Sequence, residues 1–174
     1  MLTPGNKNTQ PCRFAGNSDI EAFVEASPVL AGALEKIRDI LYAEHYKERA
    51  CPFSEEKALN MDAVALRLAK EKGLAQQSKT VDFVVGLEKR HLLLVEAKLD
   101  SDGPEHYAKE IRPKTEGTKA ILNTFDTPKV YENVVVVLLP NARFEQHKNK
   151  LLRLLANRPG IRPLRVADFH DLYF

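Results

Sequence analysis

The chain has no tryptophan, two cysteines and two methionines in 174 residues, and a formal net charge of only +2. Each scarcity excludes something. Cys12 and Cys51 are too few for a disulfide framework and lack the spacing of a zinc module, so they read as free thiols of a reducing cytoplasm, the expected compartment. No apolar run approaches the ~20 residues of a membrane helix. The opening Met-Leu-Thr-Pro-Gly lacks the apolar core of a secretory signal, so no membrane partner is expected. Low-complexity tracts and internal repeats are missing, which argues against linkers and solenoids. A charge this close to balance does not mark a polycation that coats nucleic acid. What is left is an ordinary globular composition, long enough for one core. Residues 1–17 are expected to form a flexible arm and residues 18–174 a single domain.

The informative segment runs from Val81 to Lys98, V-D-F-V-V-G-L-E-K-R-H-L-L-L-V-E-A-K. Val81–Leu87 and His91–Lys98 are short and aliphatic, which predicts two strands joined by a tight turn centred on Lys89. That register sets Leu87 opposite His91 and Asp82 opposite Glu96. Opposed residues share a sheet face, and so do Glu96 and Lys98, two apart on one strand. Asp82, Glu96 and Lys98 are therefore expected on one patch. A register slip of one residue would separate Asp82 from the other two.

Two opposed carboxylates repel, so something must compensate them. A hard divalent cation suits the position, because Mg²⁺ takes oxygen ligands from one or two carboxylates and water. The Ala97 carbonyl adds a further oxygen. Lys98 beside such a cation fits phosphodiester hydrolysis, in which charge on the phosphorane is neutralised and a nucleophile is positioned. If repulsion dominates, removing either carboxylate should stabilise the metal-free chain.

An Asp, a spacer and then Glu-x-Lys closing an apolar strand resembles the PD-(D/E)XK nuclease superfamily, with Val81 where the name-giving proline would stand. The resemblance implies a restriction-endonuclease-like core: an α/β fold with a mixed central β-sheet flanked by helices. It implies Mg²⁺ (or Mn²⁺) as cofactor, nucleic acid as partner with DNA ahead of RNA, and Asp82, Glu96 and Lys98 as catalytic residues. It also implies an extra acid from the helix before the core strands, Glu55 or Glu56, and Glu55 is counted with Asp82, Glu96 and Ala97 as a metal ligand. Paired cuts in duplex DNA would call for a homodimer. A non-catalytic nucleic-acid- or protein-binding module on the same scaffold, such as an immunity or accessory protein, is the alternative.

The remaining pattern fills in around the hairpin. Ser18-Asp19-Ile20-Glu21 has the form of a capping box, and Ser27-Pro28 restarts a helix expected to reach about Tyr46. Ser54 is expected to cap a helix with Glu55 and Glu56 in its first turn and Gly73 at its end. Only a short link then precedes the Asp82 strand. Pro104 is expected to open a helix that Pro113 breaks and that resumes to about Phe125. Asn133–Leu139 reads as a central strand, Phe144–Asn157 as a basic helix stopped by Pro159-Gly160, and Ile161–Val166 as an edge strand. Phe169, Tyr173 and Phe174 are expected to pack on the core.

Between Arg143 and Arg165, which includes Arg158 and Arg162, Glu145 is the only acid. A local basic cluster can hold phosphates through counterion release, although a solvated helix face has the same composition. Lys109, Lys114, Lys148, Lys150 and Arg153 are the candidate nucleic-acid contacts.

Overall fold

Aliphatic segments alternating with amphipathic ones build a six-stranded mixed sheet covered by helices on both faces. The structure is a computed structural model and describes residues 10–156 and 160–174. Its elements are α1 (Asn17–Val24), α2 (Pro28–Ala31), β1 (Leu34–Lys36), α3 (Ile37–Ala43), β2 (Lys57–Asn60), α4 (Met61–Glu71), β3 (Phe83–Leu87), β4 (His91–Ala97), α5 (Ile111–Leu122), β5 (Val130–Leu138), α6 (Phe144–Leu154), β6 (Ile161–Leu164) and α7 (Val166–Tyr173). Strand order in space equals order in sequence. β1 to β4 are antiparallel neighbours, and β5 and β6 continue the sheet parallel to β4. This is the α/β mixed-sheet class that the sequence predicts. Among the described residues, no helix is long and apolar enough to cross a membrane.

The interior strands are buried on both faces, so each feeds two cores. Phe83, Val85, Leu93, Val95 and Leu138 pack with α3 and with Phe169 and Tyr173 of α7. Val84, Leu92 and Leu94 face the other way, against α1, α2, α4 and the C-terminal half of α5. Tyr107, Val137 and Leu139 join α6 to that second face. The aromatic tail packs on the core as expected: Phe53 lies 5.7 Å from Phe169 and 4.9 Å from Phe174, ring centre to ring centre.

Several expectations for the N-terminal third are corrected. Pro28 does open a helix, and Ser27 Oγ accepts from Val29 N–H at 3.2 Å, but α2 stops after one turn. Leu34–Lys36 then pairs with Lys57–Asn60, and α3 ends at Ala43. The Leu30-to-Leu41 stripe is thus a turn of helix, a strand and a second helix, because strand pairing to β2 outweighs local helical periodicity. Ser54 caps no helix; β2 occupies that stretch, and Asn60 caps α4 by accepting from Ala63 N–H at 3.1 Å. Ser18 is not a cap either. Helix α1 begins at Asn17, whose amide holds Lys57 N–H and the Glu55 carbonyl at 2.8 Å each. The link from Gly73 to Asp82 carries no strand, and the neighbour of β3 is β2, which precedes α4.

The described part of the expected arm is docked rather than loose. Phe14 bridges to Leu87, its N–H donates to the Tyr173 carbonyl at 2.7 Å, and Glu88 N–H donates to the Arg13 carbonyl at 2.8 Å. Residues 1–9 lie outside the described residues, as do Arg158 and the Asn157 and Pro159 expected at the end of the basic helix. Pro113 sits in the first turn of α5, where its missing N–H costs no helical bond, so it opens the helix instead of breaking it.

Candidate metal centre

The hairpin forms in the expected register. Leu87 pairs with His91 and Phe83 with Val95, which puts Asp82 and Glu96 opposite each other one step beyond the last paired position. The turn is Glu88–Arg90, with Lys89 and Arg90 both at positive φ. Asp82 leaves the strand just enough for its carboxylate to turn inward, and its Oδ2 accepts from Ala97 N–H at 2.6 Å. Its own carbonyl accepts from Met61 N–H at 3.0 Å, which fastens the start of α4 beside the site. Ala97 therefore enters the site through its amide.

Both carboxylates are deeply buried: Asp82 is 5% exposed and Glu96 fully enclosed. Two lysines converge on one oxygen of Glu96. Lys98 Nζ lies 2.6 Å and Lys114 Nζ 2.7 Å from Oε1, and Lys114 also stands 3.9 Å from Asp82 Oδ1. The second oxygen, Glu96 Oε2, is buried and has no hydrogen-bond partner among the described residues. A buried carboxylate oxygen left unpaired costs on the order of 1–3 kcal/mol or more. It is the atom in this site most in need of a ligand.

Two acids that the sequence does not single out gather on Asp82, in a group that does not include Glu96. Glu44, just after α3, and Asp62, in the first turn of α4, each offer an oxygen within 4.8 Å of one another and of Asp82. Asp62 Oδ1 also accepts from Thr80 Oγ at 3.2 Å. Glu55 does not belong here. Its carboxylate is exposed and paired with Lys36 at 2.9 Å, because it precedes β2 rather than beginning a helix. Glu56 turns back to accept from Ser54 N–H. Asp62 lies in the first turn of α4, the helix directly before the hairpin, and Glu44 just after α3. Among so many scattered acids, only Asp62, two residues after the capping Asn60, had any local signal.

The electrostatics follow from this geometry. Burial, then Glu96 and Glu44, push the Asp82 pKa up to about 7, against the pull of Lys114 and the Ala97 N–H. Burial and the nearby Asp62 also raise Glu44. For Lys114 burial acts downward, but Glu96, Asp82 and Asp62 outweigh it and the net shift is up. Four carboxylates against two ammonium groups leave an excess of two negative charges when all are ionised, the charge of one divalent cation. The donors grouped at Asp82 are all carboxylate oxygens, a set that suits Mg²⁺ or Mn²⁺.

Lys114 was expected on a phosphate-contacting surface; α5 instead points it into the acids. Gly117 allows this approach, since a Cβ there would meet the Lys79 carbonyl oxygen at 2.1 Å. Thr118 locks the same contact by accepting from Val81 N–H at 2.9 Å. Tyr107 is a further neighbour missed in the sequence. Its ring lies 5.7 Å from Lys98 Nζ, and its buried hydroxyl has no partner among the described residues.

Several of the basic residues are already engaged by neighbours. Lys109 and Arg153 are exposed, but Lys150 is tied to Glu105 at 2.7 Å and Lys148 lies 3.7 Å from Glu145. Arg162 donates to the Tyr173 hydroxyl at 2.6 Å, and Arg165 stacks 4.0 Å from the Phe144 ring centre. Arg162 thus ties β6 to α7, and Arg165, just before α7, packs on the first residue of α6.

No family model, curated protein or solved structure matches this chain.

Proposed function

We propose that this chain is a Mg²⁺- or Mn²⁺-dependent nuclease of the PD-(D/E)XK type that hydrolyses phosphodiesters in nucleic acid, DNA ahead of RNA, in a cytoplasmic setting. The observation that carries the reading is the opposed, buried pair Asp82 and Glu96: two lysines rest on Glu96 Oε1, and two further acids gather on Asp82. The order helix, hairpin, helix, strand in α4 to β5 supports it, since that is the order the resemblance implies.

Asp82 and Glu96 would hold the cation, with Glu44 and Asp62 as further oxygen donors and the Ala97 carbonyl as a candidate. A divalent ion in that setting supplies Lewis-acid polarisation of the phosphate and lowers the pKa of water. Lys98 would donate hydrogen bonds from Nζ to the attacking water or a phosphate oxygen. It can do so without leaving Glu96 unpaired, because Lys114 stays on the same carboxylate oxygen. The burial of Asp82 and Glu96 themselves keeps bulk water away and strengthens each of these interactions.

One observation favours a second reading. Both lysines already rest on Glu96, as in a buried ion-pair network that is structural. On that reading the chain is a non-catalytic nucleic-acid- or protein-binding module. Cleavage of supercoiled and single-stranded DNA and of RNA, assayed with Mg²⁺, with Mn²⁺ and with chelator, decides between them. Divalent-dependent cleavage that Asp82→Asn abolishes supports the nuclease. Binding without cleavage under every divalent condition supports the module.

A further inference from the structure

A second cluster of ligating side chains lies at the opposite end of β4 from the acids. Cys12, His91 and Glu132 each present one donor atom, and the three atoms lie within 4.8 Å of one another. Three separate segments bring them together. His91 is the first residue of β4. Glu132 arrives through an irregularity in the parallel pairing: Leu92 faces Tyr131, but Leu94 faces Val135, so β5 carries two extra residues there. Such interruptions re-aim side chains. Here Glu132 Oε1 comes to 2.5 Å from His91 Nδ1. Cys12 is delivered by the docking of Arg13 and Phe14 against Glu88, Leu87 and Tyr173.

We propose that Cys12, His91 and Glu132 form a binding site for a borderline transition-metal ion of the Zn²⁺ class, distinct from the hard-cation centre at Asp82. The donor set carries the argument. Thiolate, imidazole and carboxylate are zinc ligands, whereas Mg²⁺ takes oxygen. One thiolate and one carboxylate balance a divalent charge and leave the imidazole neutral, its ligating form. Bond lengths of about 2.0–2.3 Å give tetrahedral edges of roughly 3.3–3.8 Å, so the hydrogen-bonded His91–Glu132 pair must part, and Cys12 adjust, by about 1 Å or less. The side chains of His91 and Glu132 are 26% and 16% exposed, which shields the site and still leaves an entry path. Three protein ligands leave a fourth position for water or a small ligand. Bound metal would clamp residues 12–15 to the start of the strand that carries Glu96 at its far end.

The full chain, titrated with Co²⁺ as a spectroscopic stand-in, tests this directly. The expected result is a thiolate-to-cobalt charge-transfer band with tetrahedral visible absorption, displaced by Zn²⁺ and untouched by Mg²⁺. The band should survive Cys51→Ser, vanish in Cys12→Ser, and require about tenfold more metal in His91→Ala and Glu132→Ala. Should Cys12→Ser fail to fold, alkylation of the wild-type chain replaces it: Zn²⁺ should slow modification of Cys12 about tenfold, and Mg²⁺ should not. The proposal is overturned by the absence of a thiolate band, by a band that follows Cys51, by unchanged affinity in both His91→Ala and Glu132→Ala, or by Cys12 alkylation indifferent to Zn²⁺. Nuclease activity is not a readout here, so this result and that of the cleavage assay stand apart.

Discussion

Asp82 and Glu96 face each other across the hairpin, yet Lys114 reaches both, at 3.9 Å and 2.7 Å. The two acids are not equivalent. Glu96 has two lysines on one oxygen, whereas Asp82 has the more distant edge of one and a backbone N–H. The consequences of removing each therefore differ in sign. Asp82→Asn keeps an oxygen to accept from Ala97 and removes a carboxylate that burial and Glu96 disfavour, so metal-free stability should rise by about 1–2 kcal/mol. Glu96→Gln leaves two half-buried ammonium groups without their partner. It should cost about 2–3 kcal/mol, below the 3–5 of a fully buried pair because both lysines keep some solvent contact. Chemical denaturation in chelator measures both. The expectation that either carboxylate's removal stabilises is thus replaced: it holds for Asp82 alone.

The raised Asp82 pKa has a defined pH signature. Its folded value, about 7, lies above the ordinary aspartate value of 3.8, so the native state binds the extra proton between them. Stability rises with pH only where the unfolded state binds more protons; here the native state does, and the sign is reversed. Below about pH 4 Asp82 imposes no penalty. Through pH 4 to 7 it contributes increasing destabilisation, complete above about 7. Melting temperatures in chelator should show this slope in wild type and a shallower one in Asp82→Asn. Identical slopes would remove Asp82 as its source.

Glu44 and Asp62 make the correction to the sequence reading testable. Glu44→Gln and Asp62→Asn should each weaken Mn²⁺ binding about 10- to 100-fold, the usual effect of losing a close supporting group. Glu55→Gln should leave affinity unchanged, since its carboxylate sits on Lys36 at the surface. Calorimetric Mn²⁺ titration separates the three. Weakening in Glu55→Gln alone would restore the original assignment.

What could be read from the chain and what could not has a physical division. The hairpin register was legible because period-two alternation and a three-residue turn leave little choice once both strands must be buried. Asp82, Glu96 and Lys98 followed from that register. The N-terminal third was misread because β1 and β2 are short and their helical periodicity is genuine; only their pairing with each other and with β3 decides. Glu44 and Lys114 come from α3 and α5, which no local pattern ties to the hairpin. Lys114 depends on the close approach at Gly117, which the sequence does not announce.

That approach predicts a long-range effect. Gly117→Ala places a methyl where the Lys79 carbonyl oxygen now sits, 2.1 Å away, and backbone cannot yield cheaply. The start of α5 must lift, taking Lys114 and the Thr118 contact with Val81 with it. Stability should fall by about 1–3 kcal/mol, the usual cost of overpacking. Any divalent-dependent activity should fall further than in the surface variant Arg112→Ala. Unfolding curves and cleavage rates on the same preparations read both quantities.

The two lysines on Glu96 Oε1 separate catalysis from folding. In Lys98→Ala, Lys114 still neutralises Glu96, so stability should change by no more than about 1 kcal/mol. Metal affinity should also persist, because an ammonium group is no ligand for a cation. Cleavage should nevertheless fall by roughly 100-fold or more, if Lys98 meets the nucleophile or the phosphate in the transition state. The loss should appear in kcat rather than KM, the mark of an interaction made only in the transition state. Lys114→Ala should show the opposite balance. It removes the bridge between Asp82 and Glu96, so metal-free stability drops and the Asp82 pKa rises further, while Lys98 remains to act. Equal kcat losses in the two variants at matched folded fraction would show that neither lysine is special, and would favour a structural network around Glu96.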